Sequence, residues 1–200
     1  MLKPQDVVLA VKLLCKGKQD WSQGSLAQEL CMSASEINAG LKRLDQCGLI
    51  EPHKDGRRWQ VIKANFKEFL LSGIAYVFPA QKGAPCTGVV TATSHDKLLP
   101  HFQQKQHGLP VWPDRHAKVR GFAFEPLYPS VTKAVQQDEL LHEWLAIIDC
   151  LRDRDNPEVD VARVLLREKL NSRSKTAAKA KKQNSSLMPE NTDHQLDLLG

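Results

Sequence analysis

The sequence predicts a mainly α-helical protein with small β elements, followed by a polar tail. Three observations carry this. Apolar residues recur at helical spacing over most of the first 50 residues and again from Leu140 to Leu170. The turn dipeptide Asp55-Gly56 separates two short strand-like runs. Seven of the 11 prolines fall between Ala75 and Pro129, where helical periodicity breaks up. Four parts follow: residues 1–63, a linking helix over 64–74, an α+β region over 75–170 ending in a helical hairpin, and a disordered basic tail over 171–200.

The first helix opens on Pro4, which suits a first turn, and ends at Gly17. Val7, Val8, Ala10, Val11 and Leu14 form its apolar stripe, and Trp21 is expected to close the core behind it. Leu26 and Leu30 stand one turn apart on a second helix. Ser33 and Glu36 then make a capping box, in which the hydroxyl accepts from one amide and the carboxylate from the other. A third helix is therefore expected from Ala34 to Cys47, with Ile37, Leu41 and Leu44 buried and Gly48 closing it. At ~100° per residue, Ser35, Ala39, Lys42 and Gln46 point away from that stripe, flanked by Asn38 and Arg43. Small, amide and cationic side chains suit a major groove, where amides pair with adenine and cations with guanine or phosphate. The same face also fits an ordinary solvated helical hairpin.

Leu49 to Glu51 and Trp59 to Ile62 read as two strands of a hairpin. His53, Lys54, Arg57 and Arg58 load its turn with positive charge, which suits phosphate or a minor groove. Ser25–Leu30, Ser33–Ile37, Leu41–Leu44 and Gly48–Ile50 together resemble the winged helix-turn-helix superfamily of bacterial and archaeal transcription factors, near its MarR-like group. The resemblance covers about a third of the chain. It implies a recognition helix from Ala34 to Cys47, and duplex DNA as partner through Ser35, Asn38, Ala39, Lys42, Arg43, Gln46, Lys54, Arg57 and Arg58. A homodimer is expected, because one recognition helix covers only a few base pairs. Its contact would use the apolar helices between Leu140 and Leu170, or the one from Phe66 to Ile74.

Phe66, Phe69 and Leu70 mark a helix from about Ala64 to Ser72, with Gly73 at its end. Beyond it, Ala75 to Phe78, Gly88 to Ala92 and Lys118 to Phe124 read as strands. Ser94 to Gln104 reads as a helix capped by Ser94. Tyr76, Phe78, Trp112, Phe122, Phe124 and Tyr128 fit either a core or the lining of a small-molecule pocket. Ser130 to Asp153 reads as helical, and Asn156-Pro157 starts a further helix.

After Asn171 apolar content falls away, and Arg173, Lys175, Lys179, Lys181 and Lys182 make the segment basic. It reads either as a solubilising tail or as a source of non-specific phosphate contacts. Gln195, Leu196, Asp197, Leu198 and Leu199 resemble the short peptide by which bacterial proteins bind the sliding clamp, which implies a protein partner through the C-terminal tail.

Bulk properties bound the rest. A hydrophobic content of 42% supports a core, and a net charge of +5 is compatible with nucleic acid. No apolar run reaches membrane-spanning length, and the first residues lack the pattern of a signal peptide, so a cytoplasmic protein with no membrane partner is expected. The five cysteines show no paired spacing and are expected to be buried thiols. His95, His101 and His107 recur every six residues, which is no same-face helical spacing, so no metal site or cofactor is expected. Phosphate loops, nucleophile elbows and metal-ligand clusters are absent from the sequence, and no enzyme is expected. The leading function is a sequence-specific DNA-binding transcriptional regulator. The alternative is a non-enzymatic adaptor in a replication, repair or defence complex, recruited through the clamp-like tail.

Overall fold

Helix α1 (Pro4–Lys16) begins on its first-turn proline and stops at Gly17, where φ is +58°. The computed structural model describes residues 1–53, 58–103 and 108–171. Val7, Val8, Leu9, Ala10 and Val11 are all buried, so α1 is enclosed on every side and not only along one stripe. It lies against α3 (Ala34–Gln46) and also against α7 (Glu139–Arg152). Helix α2 (Gln23–Leu30) is capped by Ser22, whose hydroxyl accepts from Ser25 N at 3.0 Å, and ends on Cys31 in the left-handed region. Helix α3 ends at Gln46, with Cys47 as its cap and Gly48 at φ +64°. Trp21 packs on the core as expected.

Strands β1 (Ile50–Pro52) and β2 (Trp59–Val61) pair antiparallel, with Glu51 opposite Gln60. The chain then runs through α4 (Lys63–Glu68), a π turn (Phe69–Gly73) and α5 (Ile74–Val77). This corrects two expectations: Gly73 does not end the helix, and the 75–78 stretch is no strand. Phe66, Leu70 and Ile74 are all buried, as residues four apart along one helical face can be.

Strands β3 (Lys82–Val90), β4 (Pro110–Pro113) and β5 (Val119–Phe124) close into a small barrel. β3 is antiparallel to both others, while β4 and β5 are parallel. Closure brings backbones together where only glycine fits. A Cβ on Gly88 would lie 2.1 Å from the Trp112 carbonyl oxygen, and one on Gly121 would lie 2.0 Å from that of Leu109. The expected strands at 88–92 and 118–124 are thus partly present, but Ala92, at φ +47°, ends the first of them early. The helix expected from Ser94 is absent from the described residues. In its place stand 3-10 turns at Ala92–Ser94 and Leu99–His101. Ser94 is buried and caps nothing, and Pro100 disfavours a continuous helix there.

The helix expected from Ser130 to Asp153 is broken. α6 (Val131–Ala134) and a 3-10 turn (Val135–Gln137) come first, and α7 starts after Asp138. Asp138 decides the break. One carboxylate oxygen accepts from Leu141 N at 2.9 Å, capping α7, and the other accepts from Lys12 Nζ at 2.6 Å, tying α7 to α1. Helix α8 spans residues 159–171 and buries Ala162, Leu166 and Leu170. Before it, Asn156 Oδ1 accepts from Glu158 N at 3.0 Å.

A single apolar cluster runs from Val7 through Phe66, Leu70 and Ile74 to Trp144 and Leu170. Most of the apolar stripe residues expected to form a dimer contact are thus buried within the chain, while Tyr76, Val77 and Val164 stay exposed. Of the six aromatic residues, Trp112 and Phe124 are buried, whereas Tyr76 is exposed beside Arg154, so they do not line one cavity. Cys150 is buried, but Cys31 and Cys47 sit exposed at helix ends, contrary to expectation. Among the described residues no helix is long and apolar enough to cross a membrane.

Candidate nucleic-acid interface

α3 presents the side chains singled out in the sequence, with one exception. Ser35, Asn38, Lys42 and Gln46 are exposed and Ala39 is half-buried, opposite buried Ile37, Leu41 and Leu44. Among the described residues no carboxylate pairs with Lys42.

The exception is Arg43. Its guanidinium turns inward, Nε donating to Asp6 Oδ2 at 2.7 Å and Nη2 to Oδ1 at 2.6 Å. Asp6 is fully buried and also accepts from Lys3 N at 2.7 Å. The expectation that Arg43 points off the core is thus corrected: its fork neutralises a buried carboxylate. Gly40, one turn earlier, makes room, since a Cβ there would lie 3.1 Å from Asp6 Oδ1 and 2.9 Å from Leu9 Cδ2. The sequence does hold a signal for this pair, an acid opening a run of apolar residues on α1.

The hairpin stands beyond the C-terminal end of α3. Asn65 Nδ2 donates to the Gly48 carbonyl at 2.8 Å, and Ile62 N donates to Leu49 O at 2.9 Å, which fixes its base. Arg58 donates to Asp20 Oδ1 at 2.8 Å and to the Lys18 carbonyl at 3.3 Å, bracing the hairpin against the loop after α1. Asp20 is almost fully exposed, so that ion pair adds little stability. Lys54 and Arg57 lie outside the described residues, as do Gln195, Leu196, Asp197, Leu198 and Leu199.

At the other end of α3 the capping box forms as read. Ser33 N donates to Glu36 Oε2 at 2.8 Å, and Glu36 N donates to Ser33 Oγ at 3.2 Å. The sequence did not disclose that Glu36 also accepts from the Tyr128 hydroxyl, or that Ser130 Oγ donates to the Leu30 carbonyl at 2.6 Å. Two residues of the C-terminal half therefore grip the α2–α3 corner. Beside that grip runs a cleft of about 1330 Å³ between α1 and α2 on one wall and residues 113–116 and 132–140 on the other.

The Tyr128 hydroxyl, followed by the Ser33 amide and hydroxyl, holds the Glu36 carboxyl down to about 2 from its usual 4.5. Its folded value lies below its unfolded one, so this contribution to stability is present above about pH 4.5 and is lost as pH falls toward 2. Removing the hydroxyl in Tyr128→Phe is expected to move the Glu36 titration back toward its ordinary value and acid unfolding to higher pH. Carboxyl chemical shifts followed through an acid titration check this; an unmoved Glu36 would deny the contact its role.

A second polar cluster lies inside the C-terminal half. Asp149, fully buried, accepts from Trp112 Nε1 and Thr91 Oγ1, each at 2.7 Å, and from Arg152 Nη1 at 2.6 Å. Nearby, burial followed by the neighbouring His142 pulls His95 down to about 4 from 6.5. His142 meets the Val90 carbonyl at 2.8 Å and the His95 ring edge-on. These groups satisfy one another and join the barrel to α7, which is a scaffold's arrangement and not that of an open site.

Comparison of the chain with family models, with curated proteins and with solved structures finds no match.

Proposed function

We propose that the chain is a DNA-binding transcriptional regulator of winged helix-turn-helix type, with α3 as recognition helix and the β1–β2 hairpin as wing. The observation that supports this is the outward face of α3. It offers Ser35, Asn38, Lys42 and Gln46 to solvent, with α3 held at both ends by Glu36–Tyr128 and Asn65–Gly48. Rigidly held amide and cationic side chains on one helix face suit base edges and phosphates. Two copies on paired half-sites is the form this reading implies.

Lys42→Ala is the test. It should leave the fold intact, weaken binding to every duplex, and lower the salt slope by about one. Asn38→Ala should instead change sequence preference. Fluorescence anisotropy with mixed-sequence and selected duplexes measures both, and equal affinity of Lys42→Ala and wild type would remove α3 from the interface. The second reading, an adaptor recruited through Gln195 to Leu199, is favoured by that peptide's likeness to clamp-binding motifs. Absence of duplex binding at low salt, with saturable binding of a peptide covering Asn191 to Gly200 to a sliding clamp, would decide for it.

A further inference from the structure

The connection between β4 and β5 is short, cationic and firmly held. It runs from Asp114 through Arg115, His116 and Lys118, and Arg120 follows at the start of β5. Arg115, Lys118 and Arg120 are exposed. Asp114 N donates to the Thr87 carbonyl at 3.1 Å, and Thr87 Oγ1 donates back to the Asp114 carbonyl at 3.3 Å. The loop's one acid is turned onto its own backbone, Asp114 Oδ1 accepting from His116 N at 2.8 Å.

Across the cleft the remaining acids are equally occupied. Glu29 takes Lys12 and Lys16, each at 2.6 Å, and Asp138 takes Lys12 and caps α7. Among the described residues Arg115, Lys118, Arg120 and Lys133 form no ion pair. The uncompensated charge lining the cleft is therefore positive, from Arg115 and Lys133. Arg115 and Lys133 line the cleft, whereas Lys118 and Arg120 lie outside its lining. Exposed cations spaced along one loop and the strand after it suit a repeating polyanion better than one small anion converging on a point. The facing wall includes Gln28 and Cys31, and α3 begins three residues after Cys31. The grip of Tyr128 and Ser130 fixes the barrel half beside the α2–α3 corner.

We infer that the loop carrying Arg115, Lys118 and Arg120 is a second contact to the phosphate backbone of duplex DNA, beside the base pairs faced by α3. The inference rests on the DNA-binding reading above. A loop pinned by hydrogen bonds at its start loses little conformational freedom on binding, which favours it as a backbone clamp. It contributes affinity and orientation, with no base readout.

The test uses the full chain and a mixed-sequence duplex of about 30 base pairs, roughly three helical turns, with anisotropy measured over a range of salt. The R115A/K118A/R120A variant should bind more weakly and lower the salt slope by about 2 to 3, one unit for each phosphate no longer neutralised. K42A, read in parallel, should lower it by about one. Wild-type binding with a weakened K42A, but an unchanged slope in the triple variant, overturns the loop and leaves the α3 reading standing. Failure of wild type to bind any duplex at low salt overturns both. Should the triple variant melt early, K118Q and R120Q are read singly. Each should reduce the slope by about one, and unchanged slopes in both overturn the inference.

Discussion

Arg43→Ala is expected to destabilise the protein by about 3–5 kcal/mol, because it strands the carboxylate of Asp6 in a fully buried position. Arg43 supplies two charge-assisted hydrogen bonds to that carboxylate, at 2.6 and 2.7 Å. The neighbouring Lys42→Ala, on the exposed face, should cost no more than about 0.5 kcal/mol. Removing both charges in Asp6→Leu with Arg43→Met should recover most of the loss, since a buried ion pair is often replaced by apolar side chains at little net cost. Urea denaturation of the four proteins measures all of this. An Arg43→Ala protein within about 1 kcal/mol of wild type would mean that Asp6 finds another partner. For the proposed DNA contact, an effect of Arg43→Ala would mix lost stability with lost contact, so Lys42 is the cleaner probe of α3.

Asp149→Ala should have an effect of similar size, about 3–5 kcal/mol, in the other half of the molecule. Three donors from three places in the sequence converge on this one carboxylate: Thr91, Trp112 and Arg152. Burial pushes the Asp149 carboxyl up, and Arg152 and Thr91 pull against it. With alanine there, the Arg152 guanidinium keeps only the backbone carbonyls of Phe78, Glu125 and Pro79, and the Trp112 indole loses its acceptor. Asp149→Asn keeps the shape but sets amide hydrogens against donors, so an intermediate loss is expected. Near-ultraviolet circular dichroism follows the Trp112 environment while denaturation gives the stability. A wild-type melt for Asp149→Ala would show that the barrel is held by its strand pairing and tight glycines alone.

Much of the N-terminal half was legible because its signals are local. Pro4, the Ser33–Glu36 box and Gly48 each act within a turn of the residue they affect, so spacing along the chain reveals them. The apolar stripe Ile37, Leu41 and Leu44 is legible for the same reason: helical pitch converts sequence separation directly into direction. The middle of the chain was harder to read. A closed three-stranded barrel joins short strands whose neighbours are set by closure, and the π turn at Phe69–Gly73 interrupts a segment whose buried Phe66, Leu70 and Ile74 keep ordinary four-residue spacing. Neither leaves a periodic trace.

By itself the sequence determined where the first and third helices begin and end, that a second helix carries Leu26 and Leu30, and which face of the third is apolar. It also determined that the hairpin and the tail carry positive charge. Only the tertiary structure decided what each polar side chain does. Arg43 and Lys42 are adjacent cations of the same helix, yet one is held by Asp6, 37 residues away, and the other faces solvent. Glu36 completes a local cap and also meets Tyr128, 92 residues away. Hydrogen bonds within a turn are set by backbone geometry that every helix shares. The partner of a buried charge depends on which distant segment packs over it, because the low dielectric of the interior makes an unpaired ion far more costly than the same ion in water.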